Sequence, residues 1–189
     1  MSEQENDTSQ SLRGHFLIAT PYLGDPQFQG GVIYLCEHSG DGALGLMVNR
    51  PLDVSLGDIL EQLDMDGDGL SDPVYSGGPV QIERGFVLHD PSARWQNTAA
   101  VGDGIQLTTS RDILTAIAAG EGPGHFLVML GYAGWGEGQL ETELASNAWL
   151  TCPATPDLLF DTPWSQRYGA VLKRIGVDLN QLSESVGHA

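Results

Sequence analysis

Four glycines crowd into one short stretch at Gly131, Gly134, Gly136 and Gly138, with Tyr132 and Trp135 between them. An apolar run of strand length, 126–130, leads into it. Leu140 and Leu144, one helical turn apart, mark a helix over residues 139–146. The spacing therefore predicts a buried strand, a turn too tight for side chains, and a helix. A glycine-rich turn before a helix can offer backbone N–H groups to phosphate. Here Glu137, Glu141 and Glu143 occupy the helix start, and no lysine is near. The acids already complement the helix dipole. The glycines read as backbone necessity beneath Trp135, for tight turning and close packing. Tyr132, Trp135 and Gln139 remain free to line a groove.

The other segments extend this pattern. Residues 15–19 read as a short strand. Residues 32–38 and 44–49 read as a hairpin around the loop 39–42, apolar on nearly every position, so both faces should be covered. Pro51 should end the second of these strands. Ser55 followed by Asp58 makes an approximate capping box for a helix whose face is Leu56, Ile59, Leu60 and Leu63. An acidic loop spans 64–72. Strands are expected at 74–75, 85–89 and 105–108, with a surface loop at 92–100 pinned by Trp95. Ser110 is expected to cap a helix over 111–119. A strand at 149–152 and a helix at 164–175 follow, with 177–182 packing the end. Strands crowd the first half and helices intersperse without regular alternation. That is an α+β pattern with a mostly antiparallel or mixed sheet flanked by helices. Residues 1–12 read as a disordered acidic tail and 13–189 as a single domain.

Charge narrows the function. Eight Lys and Arg stand against 25 Asp and Glu, a net charge of -17. Such a chain repels phosphate backbones and anionic membranes, and has little with which to build a basic face. Cys36 and Cys152 are the two cysteines, without a CxxC pair, which suits a reducing compartment. No apolar leader opens the chain, and no run reaches the roughly 18 apolar residues of a membrane span. A cytoplasmic protein is expected, with no membrane and no direct nucleic-acid contact.

Several segments together resemble the YqgE/AlgH family of bacterial proteins. They are residues 14–19, Cys36-Glu37-His38, residues 45–51, Gly77-Gly78-Pro79-Val80, residues 84–89, residues 108–112, and the run 130–153. The likeness covers residues 14–189 in order; the acidic tail and the 64–72 loop lie outside what the family is expected to share. The resemblance implies a branched sheet curled into a pseudo-barrel with helices outside. It also implies a link to control of alginate synthesis and the label of transcriptional regulator, with no established reaction. The charge of this chain argues against a regulator that touches DNA.

Candidate sites can be weighed against plainer readings. On a regular strand Cys36 and His38 share a face, about 6.6 Å apart along the chain. A nearby imidazolium would favour thiolate, the reactive form. That makes the pair a candidate for nucleophilic or redox-sensing chemistry, against the plainer reading of a small buried cysteine and a hydrogen-bonded histidine. Asp64, Asp66 and Asp68 fall at the first positions of a calcium loop, but Tyr75 stands where the bidentate Glu is needed, so a solvated acidic turn is the better reading. No zinc-type spacing and no GxSxG occur. No cofactor is expected. The leading reading is a non-enzymatic regulatory protein that binds a protein or a small ligand, through a groove of Asn49, His89, Tyr132, Trp135 and Gln139. The alternative is a thiol-based sensor or enzyme using Cys36 with His38. Convergence of these residues on one cleft would favour an active site.

Overall fold

The computed structural model describes residues 11–178. Its strands are β1 (His15–Ala19), β2 (Val32–Ser39), β3 (Gly42–Met47), β4 (Pro51–Ser55), β5 (Pro73–Ser76), β6 (Val80–His89), β7 (Thr98–Gly102), β8 (Ile105–Thr108), β9 (Phe126–Trp135) and β10 (Trp149–Pro153). Its helices are α1 (Leu56–Gln62), α2 (Asp112–Ala118), α3 (Gln139–Ala145) and α4 (Trp164–Arg174), the last preceded by a π turn at Asp157–Asp161. Residues 1–10 of the expected tail, and 179–182 of the expected C-terminal packing, lie outside the described residues. Ser11 and Leu12, read as tail, are instead tied to His38: Ser11 donates to its carbonyl and the Leu12 N–H to its ring.

The path through the sheet runs β10-β1-β2-β3-β9-β6-β8-β7, mostly antiparallel, with β5 joined in parallel to β9 and β4 joined to β5. β9 carries the whole arrangement. Its residues 128–130 pair with β5 on one edge and with β6 on the other. Its residues 133–135 pair with β3. The sheet therefore branches along one edge of a single strand. The strand runs through Gly131 and Gly134, so the tight turn expected over all four glycines shrinks to 136–138.

Gly131 makes this possible. Its φ is 79°, a left-handed conformation that side-chain-bearing residues rarely adopt. The alternation of faces slips by one residue there. Leu127 and Met129 point into the interior cluster and Val128 away from it, yet Tyr132 packs on the interior again, and Ala133 and Trp135 face outward. The Gly77-Gly78 loop presses against this kink. Gly77 donates its N–H to the Leu130 carbonyl and accepts the Met47 N–H, both at 2.8 Å, and so bridges β9 and β3 where β5 leaves off. A Cβ on Gly131 would stand 2.4 Å from the Gly78 carbonyl oxygen.

Three apolar clusters follow from the two faces. The interior one holds Phe16, Tyr34, Cys36, Leu46, Phe86 and Met129, and is covered by Val171 and Leu172 of α4. It also joins Cys152 of β10 to Val101 of β7, from opposite ends of the sheet path, so the sheet is curled around it. The Tyr34 hydroxyl donates to the Val101 carbonyl at 2.7 Å and holds the curl shut; burial pushes this phenol well above its ordinary pKa. A second cluster lies under α3 and a third under α1 and α2. The fold is thus the expected α+β class, a curled, branched sheet with helices outside.

Local expectations fared unevenly. The capping box forms in full: Ser55 Oγ accepts from the Asp58 N–H at 3.2 Å, and Asp58 accepts from the Ser55 N–H at 3.0 Å. Pro51 opens β4 rather than ending a strand, since a proline at the first position of a strand leaves no ladder bond unmade. The 92–100 loop gives way to β7 at Thr98, because β8 supplies a partner edge. Ser110 does not cap α2, whose N-cap is Arg111; its hydroxyl donates to Asp112 and accepts from the Asn97 N–H.

Gly131→Ala combines a left-handed φ with a backbone clash. It is expected to lower the unfolding free energy by at least ~2 kcal/mol. Gly134→Ala, whose Cβ would meet only the Tyr132 ring at 3.4 Å, should change it by less than ~1 kcal/mol. Denaturant titration of the two variants checks this; equal effects would mean that the kink is not where the branch is held.

Candidate functional site

β2 and β3 lose register between Leu35 and Glu37, so Cys36 is an extra residue on its strand. Period-two spacing would have put Cys36 and His38 side by side, and the bulge undoes it. Cys36 is fully buried in the interior cluster. Burial first, and the Glu37 charge second, push its thiol far above the ordinary range. The polar neighbour of its sulfur is the Tyr34 carbonyl, at 3.9 Å. A thiol in this state is neither ionised nor reachable.

His38 is engaged elsewhere. The Leu12 N–H donates to its Nδ1 at 2.9 Å, which leaves the ring proton on Nε2, and Nε2 donates to Glu141 Oε1 at 2.6 Å. That bond first, and the residue's own N–H second, hold the Glu141 carboxyl below the usual carboxylate range. His38 thus ties the N-terminal segment and α3 to the β2–β3 hairpin.

The other expected groove residues divide. Asn49 is a clamp: its Oδ1 accepts from the Val32 N–H and its Nδ2 donates to the Gly30 carbonyl, each at 2.9 Å. Gln139 stands behind Trp135, accepting from the Gly136 N–H at 3.0 Å and donating to Glu143 at 3.1 Å. Glu143 also accepts from the indoles of Trp135 and Trp149, at 3.1 and 2.9 Å. His89 is wholly buried. Its Nδ1 donates to the Asp90 carbonyl at 2.6 Å, its Nε2 accepts from the Thr108 hydroxyl at 2.7 Å, and Trp95 meets the ring edge-on. Burial lowers its pKa, against the smaller opposing pull of the Asp90 carbonyl and carboxylate. In the acidic loop, Asp66 accepts from the Asp68 N–H. Among the described residues, no three His, Cys, Asp or Glu side chains gather as a metal ion would require, Asp64, Asp66 and Asp68 included.

Tyr132 and Trp135 do open onto a hollow, of about 670 Å³, shared with His38, Arg13, Glu37 and Asp41. A second hollow of about 400 Å³ adjoins it across Glu37 and Leu44, and is walled by Arg84, Phe86 and Asn97. Phe86 and Tyr132 meet edge to face at 5.9 Å, so the two floors are continuous. Volumes in this range suit small-molecule sites. A separate groove of about 500 Å³ lies on the outer face between α1 and α2, around Ile59, Ile82 and Leu114. Two of its polar side chains are already engaged, Arg111 with the Leu63 carbonyl and Ser110 with Asp112. Sequence reasoning missed Arg13, Glu37, Arg84 and Phe86. The signal for the arginines was their rarity in so acidic a chain. Glu37 depends on the bulge at Cys36, which the sequence does not announce.

Two solution measurements bear on these assignments. Cys36 and Cys152 are both buried. A thiol reagent should therefore label native protein at least ~100-fold more slowly than denatured protein, even at pH 9; fast labelling of Cys36 would restore the sensor reading. For His89, the folded pKa lies below the unfolded value, so the unfolded chain binds the extra proton and stability falls as pH drops through ~6.5. His89→Gln should lose less stability than the native chain between pH 7.5 and 5, by thermal unfolding. An unchanged slope would show that the burial of His89 carries no such linkage.

Comparison with known proteins places this architecture. A family profile described as AlgH-like matches residues 16–180. A UPF0301 protein of Hahella chejuensis is 53% identical over 95% of this chain and 97% of its own. Another from Nitrosospira multiformis is 53% identical over 96% of this chain and 99% of its own. The solution structure of the AlgH protein from Pseudomonas aeruginosa, 48% identical, superimposes with a TM-score of 0.78, covering 93% of this chain and 95% of that one. A crystal structure of a Corynebacterium diphtheriae protein, at 21% identity and a TM-score of 0.67, shares the fold over 86% of each chain. A curled, branched sheet and the match along nearly its whole length lead to one conclusion: the chain belongs to the AlgH-like family.

Proposed function

We propose that the protein is non-enzymatic and acts in a regulatory role, by binding a small ligand or a protein at the double hollow floored by Phe86 and Tyr132. One observation carries this reading. Cys36 and His89 are buried and committed to internal partners, whereas the open hollow is edged by Arg13, Glu37 and Asp41. A pocket of apolar floor and few charged groups suits recognition. Direct action on DNA is disfavoured by the net charge of -17. We place the protein in the cytoplasm, a setting supported by two free buried cysteines. No helix among the described residues is long and apolar enough to cross a membrane.

A fragment screen followed by ¹H–¹⁵N spectra of the full chain tests this. Fragments should shift signals of residues 37–44 and 132–135 saturably. Tyr132→Ala should weaken them by about ten-fold while the rest of its spectrum is kept, since a stacking ring is worth ~1 kcal/mol or more. Fragments that collect instead in the Ile59–Leu114 groove, or none that saturate, would remove the reading.

A further inference from the structure

The basic residues are few, one lysine and seven arginines, and all lie within the described part of the chain. Most of the arginines are committed. Arg50 donates to the carbonyls of Gln27 and Gln29, Arg94 to that of Thr98, Arg111 to that of Leu63, and Arg167 to that of Val48. Arg174 pairs with Asp157. The two that remain are Arg13 and Arg84, and among the described residues neither has a carboxylate within 4 Å. Both open onto the same double hollow, one at each side of Glu37 and Leu44.

Arg84 is presented rather than loose. Its guanidinium lies 5.1 Å from the centre of the Phe86 ring, on the floor that continues to Tyr132. Stacking on a ring restrains the guanidinium and leaves N–H groups at its edge for a planar acceptor. It reaches this place because β6 pairs with β9 at Val80 and again at Gly85, leaving residues 81–84 outside the ladder opposite Gly131. Beside it, the backbone N–H groups of Gln96 and Asn97 are fixed by Asp112 and Ser110. Gln96 and Asn97 both line the hollow, and their side-chain amides make no hydrogen bond to the described residues. Glu37 on the shared rim and Asp41 in the adjoining hollow oppose an occupant with several negative charges.

We propose that this hollow takes an organic monocarboxylate with an apolar body. The carboxylate sits against Arg84, with Arg13 as a second, longer-range cation. The apolar body lies along Leu44, Phe86 and Tyr132. The inference rests on the binding reading above and adds the ligand class. A bidentate arginine–carboxylate pair gives direction as well as attraction, and the aromatic floor gives area. A phosphate ester would meet the same arginines, but its second charge would face Glu37 and the acidic rim.

The test is a ¹H–¹⁵N titration of the full chain with N-acetylphenylalanine, its neutral amide, and inorganic phosphate. N-acetylphenylalanine should move signals of residues 37–44 and 96–99 saturably, and the amide should bind about ten-fold more weakly or worse, the scale of a charge-assisted pair. Arg84→Gln should lose about the same factor for the carboxylate and little for the amide, which a merely structural role would not separate; Arg13→Gln should lose less. Equal binding of the amide at these residues would overturn the carboxylate assignment and leave the binding reading standing. Phosphate binding as well as N-acetylphenylalanine would overturn the role of the aromatic floor. If no probe shifts these signals, the inference falls; if the fragment screen also fails there, the binding reading falls with it.

Discussion

The backbone of Gly131, turned to positive φ and pressed against the Gly78 carbonyl, is the contact on which the architecture depends. A strand ordinarily shows one face to one core. With a single left-handed residue, β9 changes which face its side chains present, and so it serves the interior cluster and two outer clusters at once. The close approach also lets Gly77 take the Leu130 carbonyl and hand the ladder on to Met47. Any Cβ at this crossing would push the two backbones apart, and β3 and β5 could no longer follow one another along the same edge.

The hollow arises from departures from regular pairing rather than from regular structure. The bulge at Cys36 sends the thiol into the core and sets Glu37 on the rim. The loop-out of residues 81–84 carries Arg84 to the other rim. Bulges concentrate near functional sites because they re-aim side chains that a regular ladder would hold elsewhere. Tyr34, hydrogen-bonded to Val101, keeps the curl closed behind this rim. The rest of the polar inventory works inward. Asn49, Glu143 and His89 satisfy neighbours that burial would otherwise leave unpaired, and Gln139 braces Glu143. Against a net charge of -17, two arginines in one place with no carboxylate partner among the described residues are the more telling.

What the chain's letters determined was much of what short-range physics governs. The capping box at Ser55, the β2–β3 hairpin and the helix from Trp164 are local, because hydrogen bonds three residues apart and helical spacing of apolar groups need no distant partner. The family resemblance and the α+β class were legible too, since they rest on many segments in order. What tertiary structure alone decided were the pairings between distant segments: β9 with β5 and β3, Tyr34 with Val101, and β7 with β8 where a loop had been expected. Face assignments from period two assume an unbroken register, and the slips at Cys36 and Gly131 break it. For that reason the sequence could name Cys36, His38 and Trp135, while only the folded chain could separate the first from the second and bring Arg13 and Arg84 to one hollow.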